Sequence, residues 1–279
     1  MVKATKVLFI TQEITPYVPA SEMACVGRAL PQIIQEKGHE VRIFMPKWSN
    51  INERRNQLHE VIRLSGMNLI IDDMDHPLII KVASIQSARI QVYFIDNEDY
   101  FQCYPNHHVC TPETSENDGR LIFYARGVLE TIKKLRWHPD IVHCHGWITS
   151  LAPLYIKKAY KDEPAFRDVK VISSLYSNSF EGEFDNTFIN KLMLKGILKK
   201  DLASLKKAHI DCAALTKLAI DFSDGIIVHS PNVDSSVMDY ALKSGKPLLP
   251  YDASDGFAAS CHDFYNTLCE NPTVENGDL

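Results

Sequence analysis

The sequence is poor in glycine and lacks the loops that usually cradle phosphate groups. Only 12 of its 279 residues are glycine, and neither a G-x-G-x-x-G fingerprint nor a Walker A loop occurs. No apolar run approaches the roughly 20 residues that a membrane-spanning helix needs. A strand-like apolar stretch begins directly after Lys6, with no secretory leader before it. These absences disfavour Gly-rich phosphate sites and predict that the chain has no membrane partner.

Excess positive charge and a disulfide framework are also absent. The formal net charge is −5, so nothing suggests affinity for nucleic acid. Seven cysteines is an odd number in a chain large enough to fold without disulfides, which predicts a reducing, cytoplasmic location. The content of 45% hydrophobic and 23% charged residues is typical of a globular domain with a buried core.

The first 46 residues have the pattern of a βαβ unit. Val7–Ile10 is a continuous apolar run, as expected for a strand that is buried on both faces. Met23–Ile34 carries an apolar stripe at helical spacing, with Ser21 as N-cap and Gly38 just past the end. Val41–Met45 is the second strand. A unit of this kind predicts a parallel sheet with a right-handed crossover.

Residues 58–97 have a different, β-rich texture that predicts an antiparallel insertion. Its predicted strands are Val61–Leu64, Leu78–Val82 and Ile90–Ile95. Alternation then returns, with a helix over 121–135, strands at Ile141–His145, Val169–Leu175 and Gly225–Val228, a helix through 151–155, a long helical stretch over 188–222 and a helix after Asn232. The prediction is one α/β domain over 1–270, a Rossmann-like, doubly wound, mostly parallel sheet, followed by a disordered acidic tail over 271–279.

Several segments, in order, resemble one known family. They are Glu13-Ile-Thr-Pro16, Gly38-His-Glu-Val-Arg42, Tyr93-Phe-Ile-Asp-Asn97, Asn117 with Arg120 and Phe123, His143-Cys-His-Gly-Trp147 with Leu151-Ala-Pro153, and Lys217, Asp224 and Ser230-Pro231. The family is that of the bacterial glycogen synthases and plant starch synthases. The resemblance runs from about Lys6 to Ser235, which is most of the chain.

This resemblance implies a fold and a reaction. Members of the family transfer glucose, with retention, from ADP-glucose to the non-reducing end of an α-1,4-glucan. They have the GT-B architecture, in which two Rossmann-like domains face a cleft. The chain corresponds to the N-terminal, acceptor-side half, without the C-terminal donor domain. No cofactor is expected.

The family's phosphate-binding loop is altered here. The resemblance places its Lys-x-Gly-Gly-Leu segment at 19–23, where this chain has Pro19, Ser21 and Glu22. Pro19 has neither a charge nor a backbone donor, and Glu22 adds a carboxylate. A carboxylate in contact with a diphosphate costs about 4 kcal/mol per charge pair at an effective dielectric of 20. We therefore predict that this loop repels the family's donor.

Two further family positions differ. The aspartate of the family's His-x-His-Asp-Trp segment is Gly146 here. The family histidine that contacts the transferred sugar is replaced by Tyr176, so Tyr176 is the residue at the catalytic position. An ordinary tyrosine does not titrate near neutrality. The resemblance therefore leaves enzymatic activity of the isolated chain in question.

The remaining substrate-binding candidates are Glu13, His145 and Trp147, together with Ser21 and Glu22 of the altered loop. Glu13 could accept hydrogen bonds from sugar hydroxyls at the carboxyl edge of the sheet, or it could cap a backbone donor in its loop. Trp147 could stack on a sugar or serve as packing. His145 could face the cleft or be a hydrogen-bonded core residue.

No metal site is assigned from the sequence. Cys103, His107, His108 and Cys110 have the residue types of a zinc site, but their spacing lacks a C-x₂-C hook and no second pair follows. His143 and His145 point to the same side of a strand, without an evident carboxylate or thiolate nearby.

Two functional hypotheses follow. In one, the chain is a glycogen/starch synthase-type glucosyltransferase in storage-polysaccharide biosynthesis, inactive alone and completed by a separate C-terminal half. In the other, it is a non-catalytic glucan-binding or regulatory homologue. The expected partners are an α-glucan and either that separate half or a second copy of the chain.

Overall fold

The structure is a computed structural model that describes residues 4–86, 88–101, 117–177, 179–185, 187–205, 209–254 and 256–270. Its strands are β1 (Lys6–Thr11), β2 (Glu40–Pro46), β3 (His59–Glu60), β4 (Met67–Ile71), β5 (Met74–Ile85), β6 (Ile90–Asp96), β7 (Ile141–His145), β8 (Lys170–Leu175), β9 (Gly225–Val228) and β10 (Leu248–Leu249). Most are short and apolar, as the burial of parallel strands on both faces requires.

The sheet is mostly parallel. Its order is β10-β9-β8-β7-β1-β2-β6-β5-β3, and β4 pairs with β5. All neighbours from β10 to β6 run parallel. Strand β5 runs antiparallel to β3, β4 and β6. This arrangement confirms the predicted doubly wound α/β fold with an antiparallel region at one edge.

The helices cover both faces of the sheet. They are α1 (Glu22–Glu36), α2 (Asn117–Leu135), α3 (Leu151–Leu154), α4 (Thr187–Lys191), α5 (Cys212–Asp221), α6 (Ser235–Lys243) and α7 (Phe257–Glu270). The predicted ends of α1 are confirmed, because the hydroxyl of Ser21 accepts from the N–H of Ala24 at 3.0 Å and Gly38 has φ +93°. In the described ranges, none of these helices combines the length and apolarity that a membrane span requires.

The prediction of a strand at Val61–Leu64 is wrong. This segment forms a turn, in which the N–H of Leu64 donates to the carbonyl of Val61 at 2.8 Å, and Gly66 follows at φ +82°. The strand of this region is β4, which the sequence patterns missed. Strand β6, at the end of the β-rich segment, also pairs in parallel with β2 and so joins the main sheet.

The prediction of one long helical stretch over 188–222 is also wrong. Helix α4 ends at Lys191, and turns follow before α5. Gly196 has φ +100°, and a Cβ there would lie 2.5 Å from the carbonyl oxygen of Lys158. A helix cannot continue through such a residue, because its backbone conformation is left-handed and packed against another chain segment. The turns instead bury Leu192, Ile197, Leu202 and Leu205 and leave Leu198 exposed.

Candidate functional site

A cleft lies beyond the carboxyl ends of β7, β8 and β9, where doubly wound sheets bind ligands. Its volume is about 290 Å³. Gly146 and Trp147 line it after β7, and Tyr176 and Ser177 line it after β8. Asn232 and Asp234 close it before α6. Helix α5 forms the remaining wall with Cys212, Ala213, Thr216 and Ala219.

The lining of the cleft is rich in hydroxyl groups and has no cation among the described residues. The hydroxyl-bearing members are Thr149, Ser150, Ser173, Ser174, Tyr176, Ser177, Ser179 and Thr216. No described lining residue is a lysine, arginine or histidine, and Asp234 is the one charged side chain among them. Hydrogen bonds from the Ser236 hydroxyl and the Val237 N–H lower the pKa of Asp234. Such a lining suits a neutral polyol rather than a phosphate.

Trp147 holds the wall of the cleft in place. It begins a 3₁₀ turn, Trp147–Thr149, directly after Gly146. Only 3% of its surface is exposed, and its ring packs edge-on against Phe180 with 5.0 Å between ring centroids. The structure therefore uses most of Trp147 for packing, and only a small part of its surface faces the cleft.

Tyr176 lies between the cleft and the interior of the protein. Its hydroxyl is 2.8 Å from Nδ1 of His145, and its ring stacks on His229 with 5.1 Å between centroids. Burial raises the pKa of Tyr176 well above its ordinary value. The side chain thus stays neutral at physiological pH, and its hydroxyl offers a hydrogen bond but not a titrating acid or base.

His145 does not line the cleft. It is fully buried and lies beside His143 of the same strand, with 3.9 Å between ring centroids. The rings of His143 and His145 are also 6.0 and 5.5 Å from that of His229, which follows β9. His229 was not among the candidate residues. Its position directly after a buried strand, which resembles the position of His145 at the end of β7, could have identified it.

The three histidines are held in the neutral state. Burial is the largest cause that lowers the pKa of each, and the neighbouring imidazoles lower those of His143 and His145 further. The pKa of His229 falls to about 3. Charged imidazoles so close together in a dry environment would be strongly unfavourable.

The carboxylate of Glu13 is hydrogen-bonded to the residue that caps α1. The hydroxyl of Ser21 donates to Oε2 of Glu13 at 2.5 Å, and the side-chain amide of Gln12 donates to Oε1 at 3.2 Å. Burial raises the pKa of Glu13 although both hydrogen bonds oppose the shift. Glu22 is exposed in the first turn of α1. Glu13, Ser21 and Glu22 do not line the cleft at β7–β9.

Gly146 explains why this chain cannot carry the aspartate expected from the resemblance. Its φ is +89° and its ψ is 160°, a combination that is essentially restricted to glycine. A Cβ at this position would lie 2.8 Å from both Oε1 of Gln12 and the sulfur of Met23. The Cys103, His107, His108 and Cys110 group considered for zinc lies outside the described residues.

The fold and the cleft together define the class of the protein, which is a Rossmann-like α/β domain with a cleft at the carboxyl edge of its sheet. The catalytic domain of starch synthase IV from Arabidopsis thaliana, bound to ADP and acarbose, has the same fold, with a TM-score of 0.72 and 16% identity. The match covers 89% of this chain and 51% of that one.

The family follows from the sequence comparisons. The family model described as starch synthase catalytic domain matches residues 6–246, so the chain belongs to that family. It is 36% identical over 191 residues to a glycogen synthase of Chlorobium phaeobacteroides and 31% identical over 253 residues to one of Chlorobaculum parvum. These matches cover 67% and 86% of this chain, but only 39% and 51% of the relatives. The chain thus spans about two fifths to one half of the glycogen synthases it matches.

Proposed function

We propose that this chain binds an α-glucan in the cleft at β7–β9 and so supplies the acceptor side of glucosyl transfer in storage-polysaccharide synthesis. The observation that carries the proposal is the chemistry of the cleft. Its wall offers hydroxyl groups and the side-chain amide of Asn232 as donors and acceptors, without a described cation. Glucose units present hydroxyls and no charge, so they match this lining and a diphosphate does not.

The start of α1 supports the proposal that this chain binds the acceptor glucan and does not bind the nucleotide sugar. In this chain the helix N-terminus is capped by Ser21, and Ser21 is in turn bonded to Glu13. Glu22 adds an exposed carboxylate to the first turn. A diphosphate would therefore meet negative charge and a helix end whose cap is already made. We propose that the nucleotide sugar is bound by a second, C-terminal half, which is either in the remainder of the protein or in a separate chain.

Two roles are compatible with glucan binding, and they differ in whether that second half exists. With a donor half, the chain is part of a glucosyltransferase like the glycogen synthases it resembles. Without one, it is a glucan-binding or regulatory protein. The donor-side features of α1 favour the second role for the chain alone. In either role we expect it to act in the cytoplasm, because its free cysteines suit a reducing compartment.

Retardation in native gels that contain glycogen tests the proposal. We expect the wild-type chain to migrate more slowly as the glycogen concentration rises. Ala213→Trp should abolish this retardation, because Ala213 lines the cleft and an indole would occupy the space of a sugar. Ala203→Trp, on an exposed turn outside the cleft, is the matched control and should be retarded like the wild type. Equal retardation of both variants would place glucan binding elsewhere.

A separate measurement concerns the donor. We expect no glucose incorporation from ADP-glucose into glycogen by the chain alone and no measurable ADP binding. Pro19→Lys combined with Glu22→Gly should improve ADP binding, because the change adds one positive charge and removes one negative charge at the helix end. Turnover by the wild-type chain alone would contradict the proposal that a second half binds the nucleotide sugar. It would not contradict the proposed glucan site.

A further inference from the structure

Three buried histidines converge beneath the floor of the cleft. His143, His145 and His229 each offer one ring nitrogen, and these three nitrogens all lie within 4.8 Å of one another. His143 and His145 are fully buried, and 3% of His229 is exposed. They come from β7 and from the loop after β9, which are separated in the sheet by β8.

Three ring nitrogens of the histidine cluster lack hydrogen bonds to any described residue. Among the residues that the structure describes, Nε2 of His145 and both ring nitrogens of His229 have no hydrogen-bond partner. Buried polar atoms without partners are rare, because each one forfeits the hydrogen bonds it would make with water. A neutral imidazole has one lone-pair nitrogen and one N–H. His145 and His229 can therefore each offer one lone pair to a ligand that is bound between the rings.

Two tyrosines orient the rings from outside. The hydroxyl of Tyr265, on α7, is 2.6 Å from Nδ1 of His143. The hydroxyl of Tyr176 is 2.8 Å from Nδ1 of His145. When Nδ1–H donates to the tyrosine hydroxyl, the lone pair of the ring lies on Nε2, which is the nitrogen that a metal would bind. Nε2 of His143 now faces the Ser174 hydroxyl at 2.6 Å, which is the contact that a metal ion would displace.

We propose that His143, His145 and His229 bind one divalent transition-metal ion, with Zn²⁺ as the ion that best suits three neutral imidazoles. Nitrogen ligands at 2.0–2.1 Å from a tetrahedral zinc ion are about 3.3 Å apart. The three nitrogens thus need to approach one another by about 1.5 Å or less, a distance that rotation of the rings supplies.

The surroundings also favour a cation. The carboxylates of Glu13 and Glu22 are close enough to act electrostatically on Tyr176, which itself contacts His145. Their negative charge compensates part of the charge that the ion brings into the interior. Because the site is sealed from solvent, its role is structural. It ties β7, the end of β9 and, through Tyr265, helix α7 together under the cleft.

The metal content of the purified chain tests the proposal. The full chain is expressed in medium supplemented with CoCl₂ and purified without chelator, so that the ion is present while the buried site forms. We expect about one cobalt ion per chain, with the visible absorption of a low-coordinate Co²⁺–imidazole site. Zinc supplementation should likewise give about one zinc ion per chain and a higher melting temperature than treatment with EDTA.

His229→Phe is the informative variant. Its ring keeps the stacking on Tyr176, and no hydrogen bond is lost because the ring nitrogens of His229 have no partner. We expect it to melt at or above the temperature of the EDTA-treated wild type while its metal content falls at least tenfold. His138→Gln, at an exposed histidine, is the control and should retain the metal. Tyr265→Phe removes the outer hydrogen bond of His143 and should weaken binding by about 10- to 100-fold.

Two outcomes would overturn the proposal. One is a folded wild-type chain that carries no cobalt or zinc above the level of His229→Phe. The other is a metal content that falls equally in His138→Gln, which would place the ion at the surface. Glucan retardation is measured on the same preparations, so that failure of the metal site and failure of the glucan site are separate results.

Discussion

The two sides of β7 have opposite chemistry at the same edge of the sheet. Cys144 and the residues that follow the strand line an open cleft, whereas His143 and His145 point into a sealed cluster. The cleft is lined by hydroxyl groups, and it meets solvent. The cluster has ring nitrogens without partners and meets no solvent. Side-chain alternation along one strand thus places the proposed glucan site and the proposed metal site on opposite sides of β7.

Gly146 separates the two sides of β7, because the chain leaves the strand at this residue and enters the wall of the cleft. Replacing Gly146 with alanine should lower the free energy of unfolding by about 3–5 kcal/mol, the sum of a backbone conformation that only glycine adopts and a clash with Gln12 and Met23. Urea unfolding measures the change.

Gly245→Ala is the matched control for Gly146→Ala. Gly245 also has a positive φ, +70°, but a Cβ there meets nothing within 4 Å. Its loss should be about 1 kcal/mol, from the left-handed backbone alone. Equal losses at the two glycines would show that the packing at Gly146 relaxes freely.

The second prediction concerns the buried histidine cluster and the pH dependence of the free energy of unfolding. In the unfolded chain His229 binds a proton below about pH 6.5, whereas in the folded chain its pKa is about 3. The folded state therefore loses stability as the pH falls through 6.5 and continues to lose it until about pH 3. Each pH unit costs about 1.36 kcal/mol per proton, so His229 alone accounts for about 2 kcal/mol at pH 5.

His229→Phe should remove that part of the pH dependence. With EDTA present, its free energy of unfolding should fall between pH 7 and pH 5 by about 2 kcal/mol less than that of the wild type. The exposed His138→Gln variant should behave as the wild type does. If His229→Phe and wild type show the same pH dependence, His229 is protonated in the folded chain and the cluster is not sealed.

The smallest effect is expected at the start of α1. Ser21→Ala removes the cap of the helix and the hydroxyl that donates to Glu13. The cost should be about 1 kcal/mol in urea unfolding. Ser204→Ala, on an exposed turn, provides the reference for a neutral serine substitution. A loss no greater than that of Ser204→Ala would mean that water replaces Ser21 at the helix end.

Sequence patterns predicted the parallel part of the fold well. The strands at Ile141–His145 and Gly225–Val228 have the predicted bounds, because each begins directly after an aspartate and ends before a glycine or a histidine. The helix ends at Ser21 and Gly38 were also predicted, since capping depends on local chemistry. The patterns failed at Val61–Leu64 and over 188–222, where contacts with distant segments, such as that between Gly196 and Lys158, outweigh local periodicity.

The candidate site was less accessible to sequence reasoning. Trp147 and Tyr176 line the cleft. The sequence left a cleft position and a core position open for His145, and the structure places it in the interior, where it contacts the hydroxyl of Tyr176. Helix α5 contributes a wall of the cleft through small residues such as Ala213, which carry no functional signal in a sequence. The hydrogen bond between Ser21 and Glu13 joins residues eight positions apart, and only the path of the loop between them decides it.

The amino-acid order alone determined the parallel strands and the capping of α1, because burial on two faces and helix capping depend on neighbouring residues. It also determined the family, because the motifs that identify the family are segments of the sequence. The meeting of His143 and His145 with His229 and Tyr265 was decided by the tertiary structure. It depends on β9 lying two strands from β7 and on α7 crossing beneath them. No periodicity specifies that placement, since it results from packing between residues that are more than eighty positions apart.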